Sequence, residues 1–113
     1  LKAMPNVKDV QTVNDIYNPF WEKLAKGIGT LAYRGSWNLF DQIVMNGYFL
    51  KHYGSKDKPQ LTFVRADVLN KEFLRTTDGD RQGYPLRTYS GGVFLNGYSD
   101  HFPTQIYLVK EAK

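Results

Sequence analysis

Apolar and polar residues alternate along much of this chain in short runs, a spacing typical of β-strands. Residues that favour strands fill Thr30–Arg34, Leu61–Val68 and Thr104–Val109. The run Trp37–Met45 is apolar on both of its faces, which predicts a central strand buried on both sides. We therefore expect these four segments to be strands that pack together in a sheet.

A single short helix is indicated before the first of these strands. Asn18-Pro19 is a typical helix start, because Asn caps the free N–H groups and Pro suits the first helical position. Apolar residues then recur at helical spacing, and Gly27 marks the end. The pattern predicts a helix over Pro19–Ala25, with Trp21 packed in the core.

Polar segments separate the remaining elements. Lys51–Gln60 and Thr76–Tyr84 are rich in charged residues and in Gly or Pro, which predicts solvated loops. Tyr48–Leu50 and Asn70–Leu74 are expected to form short helical turns. Since strands outnumber helices and no internal repeat occurs, the sequence predicts an α+β fold with a layered sheet.

Composition narrows the function classes only slightly. The chain has 113 residues, a formal charge of +4 and no Cys, which excludes disulfides, thiolate metal sites and a Cys nucleophile. The basic residues are scattered and form no stripe of the kind that nucleic-acid-binding surfaces show. Seven Phe, eight Tyr and two Trp are enough for a core and for an aromatic cleft.

The composition leaves the cellular location open. No apolar run approaches the ~20 residues of a membrane-spanning helix, and no signal peptide occurs within these residues. The first residue is Leu1 rather than Met, so export remains an option if a signal peptide lies upstream.

Two residues ask for a chemical explanation. Asp41 falls in the middle of the predicted central strand, where a buried carboxylate needs a partner or a wet strand end. His101 lies in the loop before the last strand, and an aspartate beside an imidazole fixes its tautomer and stabilises its protonated form. We expect a hydrogen bond between the Asp41 carboxylate and a ring nitrogen of His101. The other histidine, His52, lies in a polar loop, and we expect no role for it beyond solvation.

Two sequence motifs resemble those of a known family. Trp37–Val44 resembles an aromatic, then hydrophobic-Asp-x-Ile segment, and Gly97–Pro103 resembles a terminal Ser-Asp-His-hydrophobic-Pro motif. Both are found in the endonuclease/exonuclease/phosphatase superfamily, which is deoxyribonuclease-I-like. Arg87–Tyr89 also resembles bacterial members. The resemblance implies a layered α/β sandwich with a mostly antiparallel sheet.

By this resemblance, residues 1–113 form a single partial domain, the C-terminal half of the family domain. The N-terminal half of family members carries a metal-binding Glu and a Gly-Asp-x-Asn motif, and no such motif occurs here. We therefore expect the natural protein to be longer, and this segment alone to be inactive.

The resemblance also implies an activity, which is metal-dependent hydrolysis of phosphoester bonds by a nuclease or phosphatase. His101 would be the base or proton carrier, oriented by Asp41, and Asp100 would help to hold the metal or polarise the water. The implied cofactor is Mg²⁺ or Mn²⁺, one or two ions, in a site that this segment leaves incomplete.

Substrate and partners stay open at this point. Family substrates include nucleic acids, lipid or inositol phosphates and nucleotides. A half-domain would leave a sheet face or edge uncovered, which predicts a homodimer or strand exchange. The alternative to an enzyme is a non-catalytic binding or structural segment, in which Asp41 and His101 form a hydrogen bond and nothing more.

Overall fold

The computed structural model describes residues 2–51 and 60–110. Short 3-10 helices occur at Val7–Asp9, Gly47–Phe49 and Glu72–Leu74. The strands and the α-helix follow in the order β1 (Ala3–Met4), β2 (Ile16–Tyr17), α1 (Trp21–Ala25), β3 (Leu31–Tyr33), β4 (Ser36–Asn38), β5 (Met45–Asn46), β6 (Leu61–Val68), β7 (Tyr89–Ser90), β8 (Val93–Phe94) and β9 (Thr104–Lys110).

Most strand pairs are antiparallel. The longest pair joins β6 to β9, with Leu61 opposite Lys110 and Val68 opposite Thr104. The hairpins β3–β4 and β7–β8 and the pair β2–β5 are also antiparallel, whereas β1 and β2 run parallel. With few helices beside these strands, the chain has the expected α+β fold.

The sequence located the two long strands well. The prediction of Leu61–Val68 is confirmed at both ends, and that of Thr104–Val109 is confirmed with one further residue. The predicted strand Thr30–Arg34 is shorter, since β3 covers Leu31–Tyr33. The prediction that these segments share one sheet is wrong, because β3–β4 and β6–β9 are separate two-stranded sheets.

The predicted central strand Trp37–Met45 is wrong. Strand β4 ends at Asn38, β5 begins at Met45, and residues 39–44 between them have no strand structure. The Gln42 amide donates to the Leu39 carbonyl at 2.6 Å, so a side chain rather than a neighbouring strand satisfies this backbone group. An apolar run without a partner strand here became an irregular connection.

Two clusters of buried side chains form the core. Phe63 of β6 and Ile106 of β9 pack against both, so the β6–β9 pair joins the two clusters. Burying a large apolar side chain contributes about 1.5–3 kcal/mol to folding. The clusters are Val10, Tyr17, Met45 and Leu50, and Phe20, Leu39 and Ala66.

The helix begins later than predicted, and a different aromatic residue is its core contact. The Oδ1 of Asn18 accepts a hydrogen bond from the Phe20 N–H at 2.9 Å. The helix nevertheless begins only at Trp21, three residues after Asn18. Phe20 is fully buried, whereas Trp21 is 53% exposed. The prediction that Trp21 packs in the core is therefore wrong, because the buried side of this short helix is supplied by the residue before it.

No helix in residues 2–51 and 60–110 is long and apolar enough to cross a membrane. His52 and most of the predicted loop Lys51–Gln60 lie outside the described residues. The predicted helical turns at Tyr48–Leu50 and Asn70–Leu74 correspond closely to the 3-10 helices Gly47–Phe49 and Glu72–Leu74.

Candidate active site

Asp41 and His101 are in contact with each other, although 60 positions separate them in the chain. Asp41 Oδ2 lies 2.6 Å from His101 Nδ1, which confirms the expected hydrogen bond. The side chains are 40% and 32% exposed, respectively. Asp41 is therefore not the buried carboxylate that the sequence suggested, because it lies in the irregular connection between β4 and β5, where water reaches it.

The fully buried Thr30 holds together the two segments that carry this pair. Its Oγ1 accepts a hydrogen bond from the N–H of Phe40, the residue before Asp41, at 3.2 Å. Its carbonyl accepts from the N–H of Phe102, the residue after His101, at 2.7 Å. One residue thus fixes both backbones next to the catalytic candidates.

A buried asparagine fixes the Asp41 segment from the other side. Asn18 Nδ2 donates to Gln42 Oε1 at 2.7 Å, and Gln42 in turn binds the Leu39 carbonyl. Asn18 is buried, so these contacts face little competition from water. The irregular connection is therefore hydrogen-bonded on both sides of Asp41, at Phe40 and at Gln42.

The orientation of His101 is set by the contacts around its ring. Asp41 engages Nδ1, and the ring of Phe40 packs edge-on against the imidazole with its centroid 6.3 Å away. Next to it, the buried Phe102 stacks on Trp37. With Nδ1 held by a carboxylate, Nε2 is the nitrogen left to exchange a proton with a substrate or a water.

Gly97 attaches the last motif to the preceding segment. Its N–H donates to the Arg87 carbonyl at 3.1 Å, and the Thr88 hydroxyl donates to the Gly97 carbonyl at 2.8 Å. A Cβ at this position would overlap the backbone carbonyl of Leu86. Only glycine permits this close approach, which fixes the start of the segment that carries His101.

Asp100 is exposed and has no hydrogen bond or ion pair with the described residues. It is the residue before His101 in the chain. Within residues 2–51 and 60–110, no group of three or more His, Asp or Glu side chains is placed to hold a metal ion. The described residues therefore do not make up a metal centre by themselves.

A comparison with protein families decides the affiliation of the chain. Residues 1–110 match the endonuclease/exonuclease/phosphatase family. The chain belongs to this family. The match confirms the resemblance drawn from the motifs around Asp41 and His101, and it indicates phosphoester hydrolysis in general. Comparisons with curated proteins and with solved structures give no significant match.

Sequence reasoning found the paired side chains of this family member but missed the residues that position them. Thr30 gave no signal, because a threonine at the start of a strand is an ordinary strand former. Asn18 was interpreted only as a helix cap, and its amide contact with Gln42 spans 24 positions. Gly97 stands within the recognised motif, and its position there was the one available hint.

Replacing Thr30 by valine tests its positioning role. The variant keeps the shape but leaves the Phe40 N–H without its acceptor. Because this bond is only partly buried, we expect a cost of about 1 kcal/mol, at the lower end of the range for an unsatisfied group. We expect faster amide exchange at Phe40. For phosphoester hydrolysis we expect a lower kcat with little change in KM. Thr30→Ser keeps the hydroxyl and should retain kcat. Equal kcat values for the two variants would contradict the role of the hydroxyl.

Proposed function

We propose that this protein hydrolyses phosphoester bonds, with His101 as the base or proton carrier and Asp41 as the residue that orients it. The observation that supports this is the 2.6 Å contact between Asp41 and His101 Nδ1. Membership of the endonuclease/exonuclease/phosphatase family supplies the class of reaction. The partial exposure of both side chains leaves the imidazole within reach of substrate and water.

The proposed reaction transfers one proton from the attacking water to His101. A water oxygen attacks phosphorus and forms a new P–O bond, while the bond to the leaving-group oxygen breaks. His101 takes the water proton on Nε2, and the proton then passes to the leaving oxygen or to solvent. During this step the ring carries a positive charge, which the Asp41 carboxylate at Nδ1 stabilises.

The proposal includes dependence on Mg²⁺ or Mn²⁺, with one or two ions bound. Such ions stabilise charge on a phosphate, and Mg²⁺ keeps several waters and needs only one or two carboxylates. We assign Asp100 as a ligand or as the group that polarises the water. The described residues do not complete a metal site, and Asp100 is the one metal ligand that we assign among them.

Metal removal tests this part of the proposal on the full natural chain. We expect a chelator to abolish hydrolysis of a phosphodiester and added Mg²⁺ to restore it. Asp100→Asn should raise the Mg²⁺ concentration needed for the half-maximal rate, because one ligand charge is lost. Asp78→Asn, which also removes an exposed carboxylate but from another loop, serves as the control. An unchanged Mg²⁺ requirement in Asp100→Asn would remove Asp100 from the metal site.

A non-catalytic binding or structural role is the second candidate. The observation that favours it is the lack of a three-residue metal-ligand cluster in the described part of the chain. The two candidates separate in a turnover assay with Mg²⁺, using a nucleic acid and a lipid or inositol phosphate as substrates. Absence of turnover with all of them would leave the binding role.

We also propose that the isolated segment forms a homodimer or exchanges strands. The described residues expose large aromatic side chains, among them Phe40, Phe73, Phe94 and Tyr98. Phe73 and Tyr98 contact each other, and exposed apolar surface of this kind favours association. Sedimentation velocity measures this directly, and a single monomeric species at high concentration would contradict it.

A further inference from the structure

A basic pocket of about 550 Å³ lies beside the turn between β3 and β4. Its volume falls in the range of about 300–1,000 Å³ that small-molecule sites occupy. Its charged lining consists of three arginines and a single aspartate, and two tyrosines supply aromatic walls. We call it the arginine pocket, after Arg34, Arg81 and Arg87, which line it with Asp80, Tyr33 and Tyr84.

Within residues 2–51 and 60–110, none of the three arginines of the arginine pocket forms an ion pair. No carboxylate of the described residues lies within 4.0 Å of the guanidinium groups of Arg34, Arg81 and Arg87. Arg34 lies over the Tyr33 ring at 5.2 Å, and Arg81 donates to the Ser90 hydroxyl at 2.8 Å. These contacts orient two of the guanidinium groups but leave their charges free for an anion.

The turn that carries Arg34 has an unusual backbone. Tyr33 pairs with Ser36, so Arg34 and Gly35 are the two central residues of the hairpin turn, with φ of 50° and 81°. Turns of this kind favour Asn, Asp or Gly at both positions, and an arginine in the left-handed region costs about 1–2 kcal/mol. Backbone strain of this kind is often found where a side chain serves a ligand.

The two walls of the arginine pocket are fastened to each other. The Gly35 N–H donates to the Tyr84 hydroxyl at 2.8 Å, which ties the hairpin turn to the segment that carries Arg81 and Arg87. The Tyr84 ring packs edge-on against Trp37 with centroids 5.5 Å apart. The hairpin turn is therefore held against the segment that contains Tyr84, and the two walls of the arginine pocket are joined without a ligand.

The same contacts lead from the arginine pocket to the candidate active site. Trp37 touches Tyr84 on one side and Phe102, the neighbour of His101, on the other. The backbone of Arg87 is bonded to Gly97, at the start of the His101 segment. The arginine pocket and the His101 segment are thus separated by the Trp37 ring, with centroid distances of 5.5 Å to Tyr84 and 6.0 Å to Phe102, so the arginine pocket lies near the candidate active site.

We propose that the arginine pocket binds a second phosphate group of the substrate, so that the protein acts on phosphoesters that carry a further phosphate beside the scissile one. The inference rests on the proposed function. Guanidinium groups bind phosphate oxygens in pairs and remain charged at every relevant pH. The second phosphate can belong to a nucleotide chain or to a small polyphosphorylated molecule, since both present the same anion.

Binding of inorganic pyrophosphate, measured by calorimetry on the full natural chain with a chelator present, tests the pocket without turnover. We expect Arg81→Ala and Arg87→Ala each to raise Kd about tenfold, because a charge-assisted hydrogen bond to the anion is lost. Arg65→Ala is the matched control, since it removes one guanidinium that already pairs with Asp67. Equal weakening by all three variants would show diffuse attraction and overturn the proposal.

A kinetic comparison identifies the substrate class. The substrates are bis(p-nitrophenyl) phosphate, with one phosphate, a thymidine trinucleotide and inositol trisphosphate. We expect Arg87→Ala to raise KM for the trinucleotide, for inositol trisphosphate or for both, and to leave KM for bis(p-nitrophenyl) phosphate unchanged. The substrate with the larger increase in KM identifies the source of the second phosphate. An equal change for all three, or no change for any, would overturn the proposal.

The two arms separate failure of the pocket from failure of the proposed function. If no phosphoester is hydrolysed, the proposed function fails, and pyrophosphate binding alone decides on the pocket. Arg81 is exposed, so Arg81→Ala provides the decisive comparison if Arg87→Ala does not fold.

Discussion

Replacing His101 by alanine is expected to lower kcat by about 10²–10⁴-fold, the usual contribution of a positioned proton-transfer group. The variant removes the ring nitrogen that lies 2.6 Å from the Asp41 carboxylate. KM should change little, because the imidazole acts on the reacting proton rather than on the rest of the substrate. Steady-state kinetics at saturating Mg²⁺ on a phosphodiester provide the measurement.

The chain offers a matched control for this experiment. His52 is the other histidine of the sequence, and the sequence assigns it no chemistry, so His52→Ala should keep normal turnover. If His101→Ala also keeps near-normal turnover, the hydrolase proposal has to be replaced by the binding role.

Replacing Asp41 by asparagine is expected to lower kcat by about 10²-fold, towards the lower end of the range for proton-transfer groups. An amide can favour the wrong imidazole tautomer and cannot stabilise the protonated ring. We expect less than the full effect of a buried aspartate, because Asp41 is 40% exposed and water shares the stabilisation of charge.

The role of Asp41 as a positioning residue has a spectroscopic signature. In the native protein, ¹⁵N chemical shifts of the His101 ring should report a proton on Nδ1, and Asp41→Asn should change that distribution. Asp67→Asn removes a carboxylate far from the histidine in sequence, one that pairs with Arg65, and should leave the ring spectrum unchanged. Identical His101 spectra in the native protein and Asp41→Asn would contradict the orienting role.

The geometry of the candidate site depends on contacts that neither catalytic candidate makes itself. Thr30 bonds to the backbone on both sides of the Asp41–His101 pair, and Asn18 holds Gln42 next to Asp41. Because these bonds are buried or partly buried, water competes with them less than it does with the exposed Asp41–His101 pair. The side chains of Asp41 and His101 can therefore be accessible to substrate while buried residues hold the backbone next to them.

The sequence pattern was enough to locate the long strands and to single out the Asp41–His101 pair. Alternation along Leu61–Val68 and Thr104–Val109 is a local property, so the pattern located both strands within one residue. Asp41 and His101 were found because they stand in recognisable motifs whose residue types suit proton transfer.

Whether Trp37–Met45 forms a strand, and which distant residues meet, depends on tertiary contacts. An apolar run becomes a strand only if another strand offers it hydrogen bonds, and here Gln42 and Thr30 bind residues 39–40 instead. Likewise, Arg34 meets Arg81 and Arg87 only because Tyr84 binds the hairpin turn. The Thr30–Phe40 and Gly35–Tyr84 bonds span 10 and 49 positions, and sequence periodicity, which reports only neighbours within one element, contains no information about them.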